Sequence, residues 1–146
     1  MAEISGLNPR TVQFWADKGV IRATPSTSEG GKGVHRTFTY DEFLITCLMN
    51  SFTGTQVRAV GELKEIAKTI RFALRGPGRK DFEDAVSGKA TCYLVLIWLY
   101  EQGIQCFIAN SKTGRTWLEA ILEDLQTERG RAEIVCLNKW IGGIHA

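Results

Sequence analysis

Hydrophobic residues recur with two rhythms along this chain, a helical one in the first half and a strand-like one in the second. From Asn8 to Gly19 the residues Val12, Ala16 and Gly19 recur at helical spacing as a buried face, with Trp15 beside them, and Val20 and Ile21 continue apolar. Arg10, Gln13, Phe14 and Asp17 fall on the opposite face, three and four residues apart. Asn8 is a favoured N-cap, Pro9 suits the first helical position, and Gly19 suits a helix end. Ala2 to Ser5 can form a short preceding helix, with Gly6 at the turn. The pattern predicts a helix-turn-helix whose second helix has one buried and one solvent face.

Val20 to Arg22 and Val34 to Phe38 have the β-branched and aromatic character of short strands. Between them lies a polar, glycine-rich loop that would carry Lys32, His35 and Arg36 along one hairpin edge. Thr39 and Glu42 match a capping box. The helix they open places Phe43, Leu44, Cys47 and Leu48 at core spacing. A longer helix is predicted from about Gln56 to Arg75, with Ala59, Leu63, Ile66, Ile70 and Ala73 inside. Lys64, Lys68, Arg71 and Arg75 form its second stripe, read as a solvated face or as further phosphate contact. Arg75 to Lys80, rich in Gly, Pro and charge, is the linker candidate.

The second half predicts a small α+β unit. Asp81 to Val86 suggests one or two helical turns, and Thr91 to Tyr100 is a dense apolar run. A turn at Glu101-Gln102-Gly103 returns the chain through Ile104 to Ala109, a hairpin that would set Leu99 opposite Cys106. A helix from about Thr116 to Glu128 and a strand from Ala132 to Leu137 complete the unit. Such a unit is marginal alone, so it is expected to pack on the first half or on a second copy.

Composition narrows the class. A content of 44% hydrophobic and 10% aromatic residues predicts a packed core, not a disordered chain. Residues 1–80 hold 12 Lys or Arg against 7 Asp or Glu, a balance of +5; residues 81–146 hold 6 against 9, a balance of −3. The basic half carries the footprint expected for phosphate contact. No secretory signal is read at the start, and the run Cys92 to Tyr100 is too short to span a bilayer as a helix. A cytoplasmic protein with reduced, mostly buried cysteines is expected, with no membrane partner.

Candidate chemistry is sparse. Cys47, Cys92, Cys106 and Cys136 are scattered with no C-x-x-C pair, so neither a metal site nor a disulfide framework is predicted. The two histidines, His35 and His145, stand far from any defensible acid, base or nucleophile set, and no phosphate-binding loop joins a strand to a helix. An enzyme is not expected, nor a cofactor. Tyr93, Trp98, Phe107 and Trp117 could line a small-molecule pocket, but aromatics at these spacings more often form core.

The run G-L-N-P-R-T-V-Q-F-W-A-D-K-G-V-I from Gly6 to Ile21, followed by H-R-T-F-T-Y-D-E-F from His35 to Phe43, resembles the MerR-type winged helix-turn-helix. The resemblance covers about residues 2–75. It implies a recognition helix in the major groove and a wing against the backbone or minor groove. It departs from the family at Gln13, where an Arg is usual, and at Phe14, where a Tyr is usual, which implies weaker phosphate anchoring. The family also has a strand and further residues before the alanine matching Ala2. That implies a start upstream of Met1 or a short first helix. The long coiled-coil dimerisation helix of the family has no counterpart here.

The expected architecture is therefore α+β: a winged helix-turn-helix domain over 1–75, a linker over 76–80, and a small three-stranded sheet with one main helix over 81–146. The expected function is sequence-specific binding of double-stranded DNA, as a transcriptional regulator acting as a homodimer through its second half. The expected contact residues are Arg10, Thr11, Gln13, Phe14 and Lys18 from the helix, with Lys32, His35 and Arg36 from the wing. Two other uses of such a domain stay open. One is a phage or mobile-element DNA-binding protein, such as a packaging subunit or an excisionase-like protein. The other is a protein-interaction module that has lost DNA.

Overall fold

Asn8 starts the first helix, α1 (Pro9–Asp17), by accepting the Arg10 N–H on its side-chain oxygen at 2.9 Å. The helix belongs to a computed structural model that describes residues 6–28, 35–53, 57–112, 116–127 and 130–138. Lys32, Val34, the expected Ala2–Ser5 helix, His145 and the Trp117 side chain lie outside the described residues. The fold is α+β, and the chain divides into two units, Met1–Ala67 and Lys68–Ala146.

The first unit contains α1, the single-turn α2 (Pro25–Ser28), α3 (Tyr40–Thr53) and the start of α4 (Val60–Arg75). Val12 and Trp15 of α1 are buried, followed by Val20 and Ile21. Among the described residues, the expected pair of wing strands is reduced to one antiparallel bridge, Ala23 with Phe38. Ahead of the loop the chain instead coils into α2, where Pro25 presets the helical φ. Three threonines fasten this region: the Thr24 hydroxyl lies 2.9 Å from that of Thr27 and 2.6 Å from that of Thr37.

Thr39 caps α3 as its sequence predicts, accepting the Glu42 N–H at 3.2 Å. Glu42 is itself buried, and its carboxylate accepts the Arg22 N–H at 2.8 Å, tying the segment after α1 to the start of α3. The buried face of α3 differs from the expected one. Leu44 and Leu48 are inside, but Ile45, Met49 and Phe52 join them while Phe43 and Cys47 stay half-buried. α3 is apolar nearly all round, so its polar pattern could not orient it.

α4 begins at Val60, later than predicted, with Ala59 exposed and its carbonyl accepting from Leu63 N–H. Leu63, Ile66, Ile70 and Ala73 are buried as expected, with Ala67 and Leu74 beside them. The expected solvent stripe holds at Lys64, Lys68 and Arg75, but Arg71 is buried. The division between units falls inside α4. In the stretch read as a linker, Gly76 and Pro77 form a turn and Gly78 already opens α5 (Gly78–Val86).

The second unit is built on β1 (Cys92–Leu99), flanked by β2 (Gly103–Asn110) and β3 (Gly130–Cys136) in the order β2-β1-β3, antiparallel throughout. Val95, Ile97 and Leu99 form a core with Ile121 of α6 (Thr116–Thr127), and Tyr93, Phe107, Leu125 and Ala132 pack around it. Cys92, Leu94 and Leu96, on the other face, are also buried. A central strand covered on both faces explains the unbroken apolar run. The register corrects one expectation: Leu99 pairs with Gly103, and Cys106 faces Leu96. Tyr100 to Gln102 form a three-residue connection, and Gly103 starts β2 with φ +75°, a conformation that disfavours side chains.

Candidate nucleic-acid interface

Both ends of α1 are closed by local chemistry, which fixes the face it shows. Asn8 caps the start. At the other end Val20 N–H donates to the Trp15 carbonyl at 2.8 Å and Gly19 N–H to that of Ala16 at 3.1 Å, with Gly19 at φ +69°. This is a Schellman closure, and Gly19 supplies its left-handed residue. Val12 and Trp15 anchor the inner side. Arg10, Gln13, Phe14, Asp17 and Lys18 are exposed, as the periodicity predicts, while Thr11 is half-buried. The Lys18 ammonium lies 5.9 Å from the Phe14 ring centroid, an attractive cation–π distance.

The segment after the loop is brought to the same surface. The Arg36 guanidinium meets the Asp17 carboxylate at 2.6 Å, so the helix end and the segment leading into the Ala23–Phe38 bridge are joined by an ion pair. His35 is exposed beside it. Seven of the eight residues proposed from sequence therefore fall on described segments of this region, and Lys32 does not. The sequence reading missed the partnership of Asp17 with Arg36 and the positioning roles of Glu42 and the threonines. The signal for Asp17 was its place on the exposed face; for the threonines it was their density around the loop.

Weaker candidates are the scattered thiols, Cys47 in the first unit and Cys92 and Cys106 in the second, and the aromatics of the second unit. Burial raises the Cys47 thiol to about 11 and that of Cys106 to about 12. Cys92 is also raised to about 11, first by burial and then by the nearby Asp81 and Asp84 carboxylates; its thiol donates to the Asp81 carbonyl at 2.8 Å. Such thiols are poor nucleophiles. Among the described residues no cluster of three His, Cys, Asp or Glu side chains could hold a metal, and no helix is long and apolar enough to cross a membrane. Of the aromatics read as a possible pocket lining, the three with described side chains do not share one face. Tyr93 and Phe107 pack on the α6 side, whereas Trp98 points to the other face and stacks with the Arg131 guanidinium 4.4 Å from its ring centroid. A half-open hollow of about 250 Å³ lies elsewhere, lined by Phe72, Pro77, Asp81, Cys106 and Ile108 among others.

No protein-family model matches the chain, and no curated protein matches it.

Proposed function

We propose that the chain is a sequence-specific DNA-binding protein, used as a transcriptional regulator, whose α1 enters the major groove. One observation carries the reading: a short, doubly capped helix buries Val12 and Trp15 and turns Arg10, Gln13, Phe14 and Lys18 to solvent beside Arg36. Arg10 and Gln13 can donate to base edges or phosphates, and Lys18 adds charge at the helix end. The excess of Lys and Arg in residues 1–80 supplies the long-range attraction. Two-fold pairing through the second half belongs to the same proposal, because a short recognition helix gains specificity from a repeated half-site.

A second reading has its own observation. Phe14 is 44% exposed and the wing cation Arg36 is already neutralised by Asp17, features equally suited to a protein partner. Selection of bound duplexes from a random library at low and moderate salt separates the two. Enrichment of an inverted repeat supports the dimeric regulator, and a single enriched site supports a monomeric or architectural protein. No retention at low salt rejects DNA and leaves the protein-contact reading. With an enriched site in hand, Arg10→Ala is expected to lower its affinity by about tenfold or more; unchanged affinity removes α1 from the DNA.

A further inference from the structure

We infer that Asp17 is a built-in competitor for Arg36, occupying in the free protein the guanidinium that a DNA phosphate takes in the complex; this rests on the DNA-binding reading above. The placement of Asp17 is the first observation. It ends α1, where the helix dipole presents partial negative charge and a carboxylate is disfavoured. It shares the exposed face with Arg10, Gln13 and Phe14, the surface on which a polyanion would have to settle. Both circumstances oppose an acid there, so its stabilising partner is the informative contact.

That partner is Arg36, at 2.6 Å, and the pair is solvated mainly from the carboxylate side: the Asp17 side chain is 48% exposed and that of Arg36 23%. An ion pair so exposed is weak and readily exchanged. A phosphate offers the guanidinium the same planar pair of oxygens as a carboxylate, and its capture releases counterions, which an internal carboxylate cannot do. The anchors behind the pair do not depend on it. Asn8 and Gly19 close α1, and the Thr24–Thr27–Thr37 hydroxyls, with the Thr24 N–H to Thr37 carbonyl bond of 2.9 Å, hold the segment that carries Arg36. Exchange of partners therefore needs only side-chain movement.

The consequence is a uniform weakening. On any duplex the exchange sets the same cost against Arg36, so selected and random DNA alike are held more weakly than the cation count suggests, and the ratio between them is unchanged.

The test is a double-mutant cycle on the wild-type chain, Asp17→Asn, Arg36→Ala and the double variant. Affinity is measured on a selected and a scrambled duplex over a salt series, with thermal unfolding as a check on folding. Asp17→Asn is expected to tighten binding to both duplexes by about three- to fivefold and to steepen the salt dependence by up to about one phosphate contact. In the Arg36→Ala background the gain is expected to vanish. An equal gain in both backgrounds overturns the proposal, since it means simple repulsion of phosphate by Asp17. A loss of affinity in Asp17→Asn also overturns it, making Asp17 a buttress or a reader of bases. Failure of the wild type and every variant to bind any duplex at low salt rejects the DNA-binding reading itself, and this proposal with it.

Discussion

Helix α1 and strand β1 are both short segments with strong apolar content, yet they use it in opposite ways. α1 buries Val12 and Trp15 and exposes most of its remaining side chains. β1 buries Cys92, Leu94, Val95, Leu96, Ile97 and Leu99 and leaves only Tyr93 and Trp98 partly accessible. The helix is held by its ends, through Asn8 and the Gly19 closure, with two side chains as anchors. The strand is held along its whole length, by neighbours on both edges and side chains on both faces. An element fastened at its ends has a face to spare for recognition; one fastened along its length does not. Of these two elements, α1 carries exposed polar surface and β1 carries buried apolar surface.

The comparison is broken most directly by exchanging the expected costs. Ile97→Ala removes a side chain only 2% exposed from the β1–α6 core and should cost about 2–5 kcal/mol. Urea unfolding followed by circular dichroism would measure it. Gln13→Ala, on the exposed face of α1, should change stability by under about 0.5 kcal/mol. A large loss for Gln13 or a negligible one for Ile97 would undo the division of labour.

The next effect is smaller and sharpens the comparison. Asn8→Ala deletes the cap without touching the exposed face and should cost about 1 kcal/mol. If α1 is the DNA-reading element, the same change should weaken duplex binding in proportion to the helix lost. Restoration by Asn8→Asp or Asn8→Ser would separate capping from contact.

The smallest expected effect concerns the thiols. With Cys47 and Cys92 raised to about 11 and Cys106 to about 12 from an ordinary value of 9.0, almost no thiolate is present at neutral pH. Alkylation of these three in the folded protein should therefore be slow at pH 8 and should rise about tenfold per pH unit towards pH 10. The sign for stability follows from the same shifts. The folded state holds these protons more tightly than the unfolded chain, so their contribution is intact below pH 9 and is lost as pH rises through about 11. Fast alkylation of Cys106 at pH 7 would show an accessible, ionised thiol and contradict the raised value.

Several parts of the molecule were legible in its sequence because the signal is local. Asn8, Pro9 and Gly19 mark α1, and a cap or a left-handed glycine acts within one turn of the chain. Thr39 likewise marks the start of α3. The exposed set Arg10, Gln13, Phe14, Asp17 follows from helical periodicity, which needs no knowledge of the partner face. α3 was misoriented because its apolar residues encircle it. The hairpin register was missed because the length of the Tyr100–Gln102 connection shifts every later pairing. The place of Arg71 beside Lys68 and Arg75 predicts a solvated or phosphate-contacting face, whereas its burial depends on what else packs there.

The sequence by itself determined the order of elements in the second half, the capped helix with its polar face, and the strand with apolar side chains on both sides, but not the turn of helix α2 in the expected wing loop. What it determined follows from spacing and from backbone preferences that act over a few residues. Only the tertiary structure decided that Arg36 would meet Asp17, that Glu42 would accept from Arg22, that three threonines would share their hydroxyls, and that β1 would lie between β2 and β3. Each of these joins groups separated along the chain, and many pairings of similar chemistry were available. Which one forms depends on how the whole chain shares out its buried surface and hydrogen bonds.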